Sequence, residues 1–150
     1  MFAQKKYPEN VQLGFEQKLS ELTSRLSVRF PKAVKANVDF GRSFADIVIE
    51  RPGRIIVAEL KSGDPKLPLP SSTIPQMEFF VAQAHNRYPG CDIVPVVVTN
   101  YDVSETDKRA LDREGVKILN IASGSIDTMV ADFLKQAGIP QEETEASAEV

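Results

Sequence analysis

Two hydrophobic periods alternate along the chain, and each predicts a different kind of element. Within residues 11–28 the large apolar side chains recur every three or four positions, which predicts an amphipathic helix. They are Phe15, Leu19, Leu22 and Leu26. Residues 33–40 alternate between apolar and polar types, which predicts a half-exposed strand. Residues 93–99 are continuously apolar and rich in valine, which is typical of a buried strand.

Turn and capping residues divide the remaining chain into further elements. The segment Arg51-Pro52-Gly53-Arg54 predicts a tight turn that joins two strands into a hairpin. Thr73-Ile74-Pro75-Gln76 resembles a capping box and predicts the start of a helix, and Ser104 predicts another N-cap. The predicted elements are a helix at 11–28, strands at 33–40, 44–50 and 55–62, a helix at 73–88, a strand at 93–99, a helix at 104–114, a strand at 116–121 and a helix at 125–137.

The order of these elements predicts an α/β fold with a mixed central sheet. In the first half, three consecutive strands with short connections favour an antiparallel meander. In the second half, strands alternate with helices, which favours parallel pairing through right-handed crossovers. We expect one domain over residues 1–140. Residues 141–150, which are small and acidic, are expected to form a disordered tail.

Charge and composition narrow the classes of function. The net charge is −3, but residues 1–42 contain eight Lys or Arg against four Asp or Glu, a net of +4. This basic N-terminal segment suits a nucleic-acid partner, but a solvated surface without any partner explains the charge equally well. The sequence lacks a long apolar run and a secretion signal, and its one cysteine cannot form an internal disulfide, so we expect no membrane contact and a cytoplasmic location. The sequence contains no glycine-rich phosphate-binding loop, so we expect no nucleotide cofactor.

Three acidic-x-Lys triplets occur in the sequence, and only one of them has a geometry suited to a site. Glu16-Gln17-Lys18 lies on a predicted helix, where residues two apart point about 200° away from each other. Asp64-Pro65-Lys66 lies in a proline-rich loop. Glu59-Leu60-Lys61 lies on a predicted strand, where the first and third side chains share a face.

The predicted hairpin adds a second acidic residue to this triplet. The short turn brings Asp46 roughly opposite Glu59, within a cross-strand diagonal of ~7–8 Å. Two carboxylates that lie so close repel each other unless a cation lies between them. Ligands that are oxygen atoms alone favour Mg²⁺ or Mn²⁺. The alternative is that Glu59 and Lys61 form an exposed ion pair, which contributes little.

This arrangement resembles the PD-(D/E)xK, or restriction-endonuclease-like, nucleases. Asp46 matches the first acidic residue of the motif, although Ala45 stands where proline usually precedes it. Glu59 matches the second acidic residue and Lys61 the lysine. The resemblance implies that Asp46, Glu59 and the Leu60 carbonyl bind the metal. It also implies that Lys61 positions the attacking water and stabilises charge on the phosphate.

Two further residues match weaker features of the same superfamily. Glu16 corresponds to a glutamate that many members, including archaeal Holliday-junction resolvases, place on the first helix near the metal. Its other interpretation is a solvated helix residue. Gln76, with Phe80 four positions later, resembles the Gln-x-x-x-Tyr motif of exonuclease-like branches. Its other interpretation is a capping residue.

The resemblance covers roughly residues 11–100 and implies a Mg²⁺- or Mn²⁺-dependent nuclease that acts on DNA, with RNA also possible as a substrate. A homodimer is also implied, for which the predicted strand at 116–121 and the last helix offer a face. Two alternatives stay open: a non-cleaving nucleic-acid-binding or assembly module of the same fold, and an unrelated α/β domain with Glu59 and Lys61 on its surface.

Overall fold

The computed structural model describes residues 11–120, 125–141 and 143, with the side chains of residues 11–13 left out. The order and type of the described elements agree with those predicted from the sequence, with bounds that differ by at most one residue. They are α1 (Val11–Arg29), β1 (Val34–Asp39), β2 (Phe44–Arg51), β3 (Arg54–Lys61), α2 (Thr73–Arg87), β4 (Asp92–Thr99), α3 (Glu105–Arg113), β5 (Lys117–Asn120) and α4 (Ile126–Ala137). Most of the predicted acidic tail lies outside the described residues.

The five described strands form one mixed sheet in the order β1-β2-β3-β4-β5. The β1–β2 and β2–β3 pairs are antiparallel, whereas β3–β4 and β4–β5 are parallel. The turn between β2 and β3 is tight, with Arg51 paired to Arg54 and Gly53 at a φ of 73°. Helices α2 and α3 make the crossovers that parallel pairing requires. The predicted mixed sheet is therefore confirmed.

Helices cover both faces of the sheet and create two hydrophobic cores. The first core packs α1 and α4 against one face, and the second packs α2 and α3 against the other. Val96 and Val98 of β4 point into the first core, while Val97 points into the second. The central strands are buried on both sides, which explains their continuous apolar sequence. Each fully buried large side chain stabilises the fold by about 1.5–3 kcal/mol.

The helix starts confirm the predicted cap at Ser104, show another at Ser125 and correct the predicted capping box. Ser104 and Ser125 each accept a hydrogen bond from a backbone N–H three residues later. The predicted capping box at the start of α2 is wrong. The chain is already helical at Ser72, with φ −72° and ψ −11°, and no side chain caps the helix. Thr73 is consequently inside the first turn, where its hydroxyl is buried, and Gln76 is released from a capping role.

The β1–β2 pair changes face at the position of Asp46. Ile47 packs in the first core and Ala45 in the second, although residues two apart on a regular strand share a face. On β1, Asn37 has a positive φ of 52°, a conformation that asparagine tolerates better than most residues. The predicted alternation of β1 is also wrong at Ala36, which is exposed in the groove beside α1. Asp46 lies where the regular alternation of β2 breaks.

None of the described helices has the length and apolar character that crossing a bilayer requires.

Candidate functional site

Asp46 lies where the backbone ladder between β2 and β3 ends. The last pair at that end of the ladder is Ile47 with Ala58. Beyond it, the backbone N–H of Leu60 donates to Oδ2 of Asp46 at 2.7 Å. The carboxylate thus takes the place of a main-chain carbonyl as the acceptor for β3. This contact fixes the half-buried Asp46 side chain beside the end of the Glu59–Lys61 strand.

Glu59 and Lys61 share one face of β3, as their spacing predicted. The Lys61 ammonium lies 3.5 Å from Oε2 of Glu59. Glu59 is only 5% exposed, and its Oε1 is buried without a hydrogen-bond partner among the described residues. An exposed Glu–Lys pair is therefore excluded. A buried carboxylate oxygen with no partner is costly, which makes Glu59 an unusual residue for a purely structural role.

The electrostatics of Glu59 show that a second carboxylate lies close to it. The pKa of Glu59 is raised to about 7, chiefly by burial and then by the Asp46 carboxylate, while the Lys61 ammonium partly offsets both. The ordinary value is 4.5. The hairpin therefore brings Asp46 and Glu59 together, as the sequence predicted. The oxygen atoms of these two carboxylates, which include the Glu59 Oε1 without a hydrogen-bond partner among the described residues, suit a divalent cation that prefers oxygen ligands.

The number of possible ligands is small. Among the described residues, no group of three or more His, Cys, Asp or Glu side chains is arranged to hold a metal ion. A cation at this site would therefore depend on Asp46 and Glu59. The Leu60 carbonyl as a third ligand stays a prediction.

Glu16 lies next to this pair, but not as a third member of a carboxylate cluster. Its Oε2 accepts a hydrogen bond from the Ser62 hydroxyl at 3.2 Å, and Ser62 directly follows Lys61. Its side chain is otherwise exposed. Helix α1 is thus tied to the end of β3 through Glu16, whereas its role as a metal ligand stays a prediction.

Gln76 contacts the turn before β2 from the side of α2. Its Nε2 donates to the Ser43 hydroxyl at 3.4 Å, and the side chain is half-buried. A capping glutamine would instead turn back toward the backbone at the start of its own helix. A role for Gln76 in catalysis stays a prediction.

Asn100 is a residue of this region that the sequence analysis missed. It is 1% exposed and makes two hydrogen bonds to the backbone of Gly63. Its Oδ1 accepts from the Gly63 N–H at 2.9 Å, and its Nδ2 donates to the Gly63 carbonyl at 2.8 Å. These bonds hold the chain two residues after Lys61. A polar residue directly after the apolar strand 93–99, beside the end of β3, was the signal available in the sequence.

The Tyr101 ring fills the space on the other side of Gly63. A Cβ atom at Gly63 would overlap the Tyr101 hydroxyl group, so any other residue there would force the Tyr101 ring to move. The backbone after Lys61 is therefore held between Asn100 and Tyr101.

Comparison with solved structures identifies the fold. A structure of EndoMS with double-stranded DNA is similar with a TM-score of 0.54 and 17% identity, over 83% of this chain and 50% of that one. Can2 from Sulfobacillus thermosulfidooxidans, bound to cyclic tetra-adenylate, is similar with a TM-score of 0.52 and 15% identity, over 83% and 36%. A repair endonuclease from Pyrococcus abyssi has a TM-score of 0.47 and 20% identity, over 81% and 49%.

These similarities are at the level of the fold. No protein-family model matches the sequence, and no curated protein matches it significantly. The chain has a restriction-endonuclease-like fold: helix, three-strand meander, helix and strand, with an added helix, strand and helix. It spans about half, or less, of the length of the three solved proteins.

Proposed function

We propose that this chain is a metal-dependent nuclease that hydrolyses phosphodiester bonds of DNA. The observation that carries the proposal is the buried Glu59 carboxyl group beside the half-buried Asp46 carboxylate, with the Lys61 ammonium 3.5 Å from Glu59. The restriction-endonuclease-like fold supports it, and EndoMS of the same fold has been seen on double-stranded DNA. An ion pair with no function explains neither the buried unpaired oxygen of Glu59 nor its proximity to Asp46.

Asp46 and Glu59 are the residues that would hold Mg²⁺ or Mn²⁺. A divalent ion bound there polarises a phosphate oxygen and lowers the pKa of water. Glu59 must lose its proton to become a ligand, so cation affinity should fall as the pH drops below about 7. Lys61, 3.5 Å from the Glu59 carboxylate, would orient the attacking water and stabilise charge on the phosphate.

Cleavage assays test the proposal directly. Supercoiled, linear, single-stranded and branched DNA, together with an RNA strand, are incubated with Mg²⁺, Mn²⁺ or EDTA. We expect cutting that requires the ion and that falls at least ~10²-fold in Lys61→Ala, the loss typical when a group that stabilises the transition state is removed. Asp46→Asn should also abolish cutting, because it removes the charge while an amide oxygen can still accept the Leu60 N–H.

The chain offers a matched control for the lysine. Lys66 belongs to the acidic-x-Lys triplet in the loop and is exposed, so Lys66→Ala should leave cutting unchanged. Cutting that survives both Lys61→Ala and Asp46→Asn would overturn the site assignment. DNA binding without cutting in any metal would favour the alternative, a non-cleaving module of the same fold.

A homodimer stays part of the proposal. β5 is an edge strand of the sheet, with α4 packed against it. An edge strand presents unpaired backbone groups on which a second copy can pair. Sedimentation or light scattering measures the oligomeric state.

A further inference from the structure

A groove between α1 and the β1–β2 strands opens beside Asp46. The groove is open to solvent and has a volume of about 540 Å³, within the range of ~300–1,000 Å³ that ligand pockets occupy. Helix α1 contributes four hydroxyl side chains, and the strands contribute an amide and the carboxylate of the candidate site. These residues are Ser20, Thr23, Ser24, Ser27, Asn37 and Asp46.

Three of the hydroxyls form a row along α1. Ser20, Ser24 and Ser27 follow the spacing of four and three residues that places side chains on one helix face. Within the described part of the chain these three side chains make no hydrogen bond, whereas the Thr23 hydroxyl donates to the Leu19 carbonyl at 3.1 Å. The row thus offers free donors toward a groove that reaches Asp46.

The groove carries little charge, and most of its polar groups are neutral hydroxyls. Asp46 is the one charged residue among the described residues that line it, and Arg25 pairs with Glu21 and Asp127 instead. Neutral hydroxyl donors suit phosphate oxygens, since many contacts to a nucleic-acid backbone come from serine and threonine. Val28, which is 82% exposed and also lines the groove, provides an apolar surface for a sugar or base.

We propose that this groove holds one nucleic-acid strand beside the candidate site, with the serine hydroxyls of α1 donating to its phosphates. The inference rests on the proposed nuclease function and adds to it the path of the strand. A strand along α1 reaches Asp46 without crossing another element, because Asp46 itself lines the groove. Hydroxyl contacts release no counterions by themselves, so this part of the binding should depend weakly on salt.

Binding measured apart from cleavage tests the inference. Fluorescence anisotropy with labelled single-stranded and duplex DNA, in EDTA, compares wild type with Ser24→Glu and Ser24→Lys. A carboxylate in the groove should weaken binding about fivefold or more, and an ammonium should strengthen it by a similar factor. Thr106→Glu, which adds the same charge on the exposed side of α3, should bind as wild type does.

The salt dependence supplies a second readout. Replacing Ser20, Ser24 and Ser27 with alanine should lower the affinity without changing the slope of log affinity against log salt. Ser24→Lys should steepen that slope by up to ~0.9 on duplex DNA. Thermal unfolding checks that every variant is folded; Ser24 is exposed, so we expect no loss.

The outcomes separate this inference from the proposed function. If wild type binds DNA and both Ser24 variants bind it equally well, the groove is not the path of the strand. If wild type binds with the expected response to Ser24 but cuts nothing in Mg²⁺ or Mn²⁺, the groove stands and the nuclease proposal fails. If wild type binds neither form of DNA, the groove is not the path of the strand, and if it also cuts none in Mg²⁺ or Mn²⁺, the nuclease proposal fails with it.

Discussion

Replacing Glu59 with glutamine should make the protein more stable at alkaline pH, because it removes a carboxylate whose ionisation the fold opposes. The folded protein raises the pKa of Glu59 from 4.5 to about 7, chiefly by burial and then by the Asp46 charge. At about 1.4 kcal/mol for each tenfold change in proton affinity, this amounts to about 3 kcal/mol as an upper limit.

The direction of the pH dependence follows from proton binding. The folded state holds the Glu59 proton more tightly than the unfolded chain, so this contribution to stability is complete below about pH 4.5 and is lost as the pH rises through about 7. Glu59→Gln lacks this loss. The stability difference between the variant and wild type should therefore grow by up to about 3 kcal/mol between pH 4.5 and 8.

Urea unfolding and thermal melts across pH 4.5–8.5 in EDTA measure this difference. For a protein of this size, 1 kcal/mol shifts the midpoint by about 2–4 °C, so the full effect is readily resolved. Glu78→Gln, which removes an exposed carboxylate from α2, is the control and should follow wild type. Equal pH profiles for Glu59→Gln and wild type would refute the reasoning, because they would mean that Glu59 ionises in the fold as easily as in the unfolded chain.

Two further predictions concern stability alone. Asn100→Ala should lower the free energy of unfolding by about 2–4 kcal/mol, because it leaves the N–H and carbonyl of Gly63 without partners; chemical denaturation measures this, and a change below 1 kcal/mol would contradict it. Phe133→Ala should cost about 3–5 kcal/mol, since Phe133 is fully buried in the first core, whereas Leu67→Ala at a side chain 53% exposed should cost far less; equal losses would contradict the assigned core.

Much of the fold followed from local patterns in the sequence. Hydrophobic periodicity and turn residues define each helix and strand through neighbours a few positions away, so their order could be predicted. The central part of the site followed as well, because the Pro52-Gly53 turn sets the hairpin register that brings Asp46 near Glu59.

Other features depended on contacts between distant parts of the sequence or on backbone conformation, which a local pattern does not reveal. Asn100 bonds to Gly63 across 37 residues of sequence, so its role needed the parallel pairing of β3 with β4. The start of α2 depended on the helical backbone of Ser72, which a Thr-x-x-Gln pattern does not reveal. Ala36 lines the groove beside α1 instead of the core, so its exposure depended on how α1 packs across the sheet.

The hydrogen bond from the Leu60 N–H holds the Asp46 carboxylate in one orientation before any cation binds. Asp46 can reorient only by breaking a partly buried bond between a charged acceptor and the backbone, which costs about 1.5–3 kcal/mol. Its rotamer is therefore selected when the sheet forms, and an arriving cation has little side-chain entropy to remove. Binding of a cation then requires that the ion lose water and that Glu59 lose its proton, but the strands around the site need not refold.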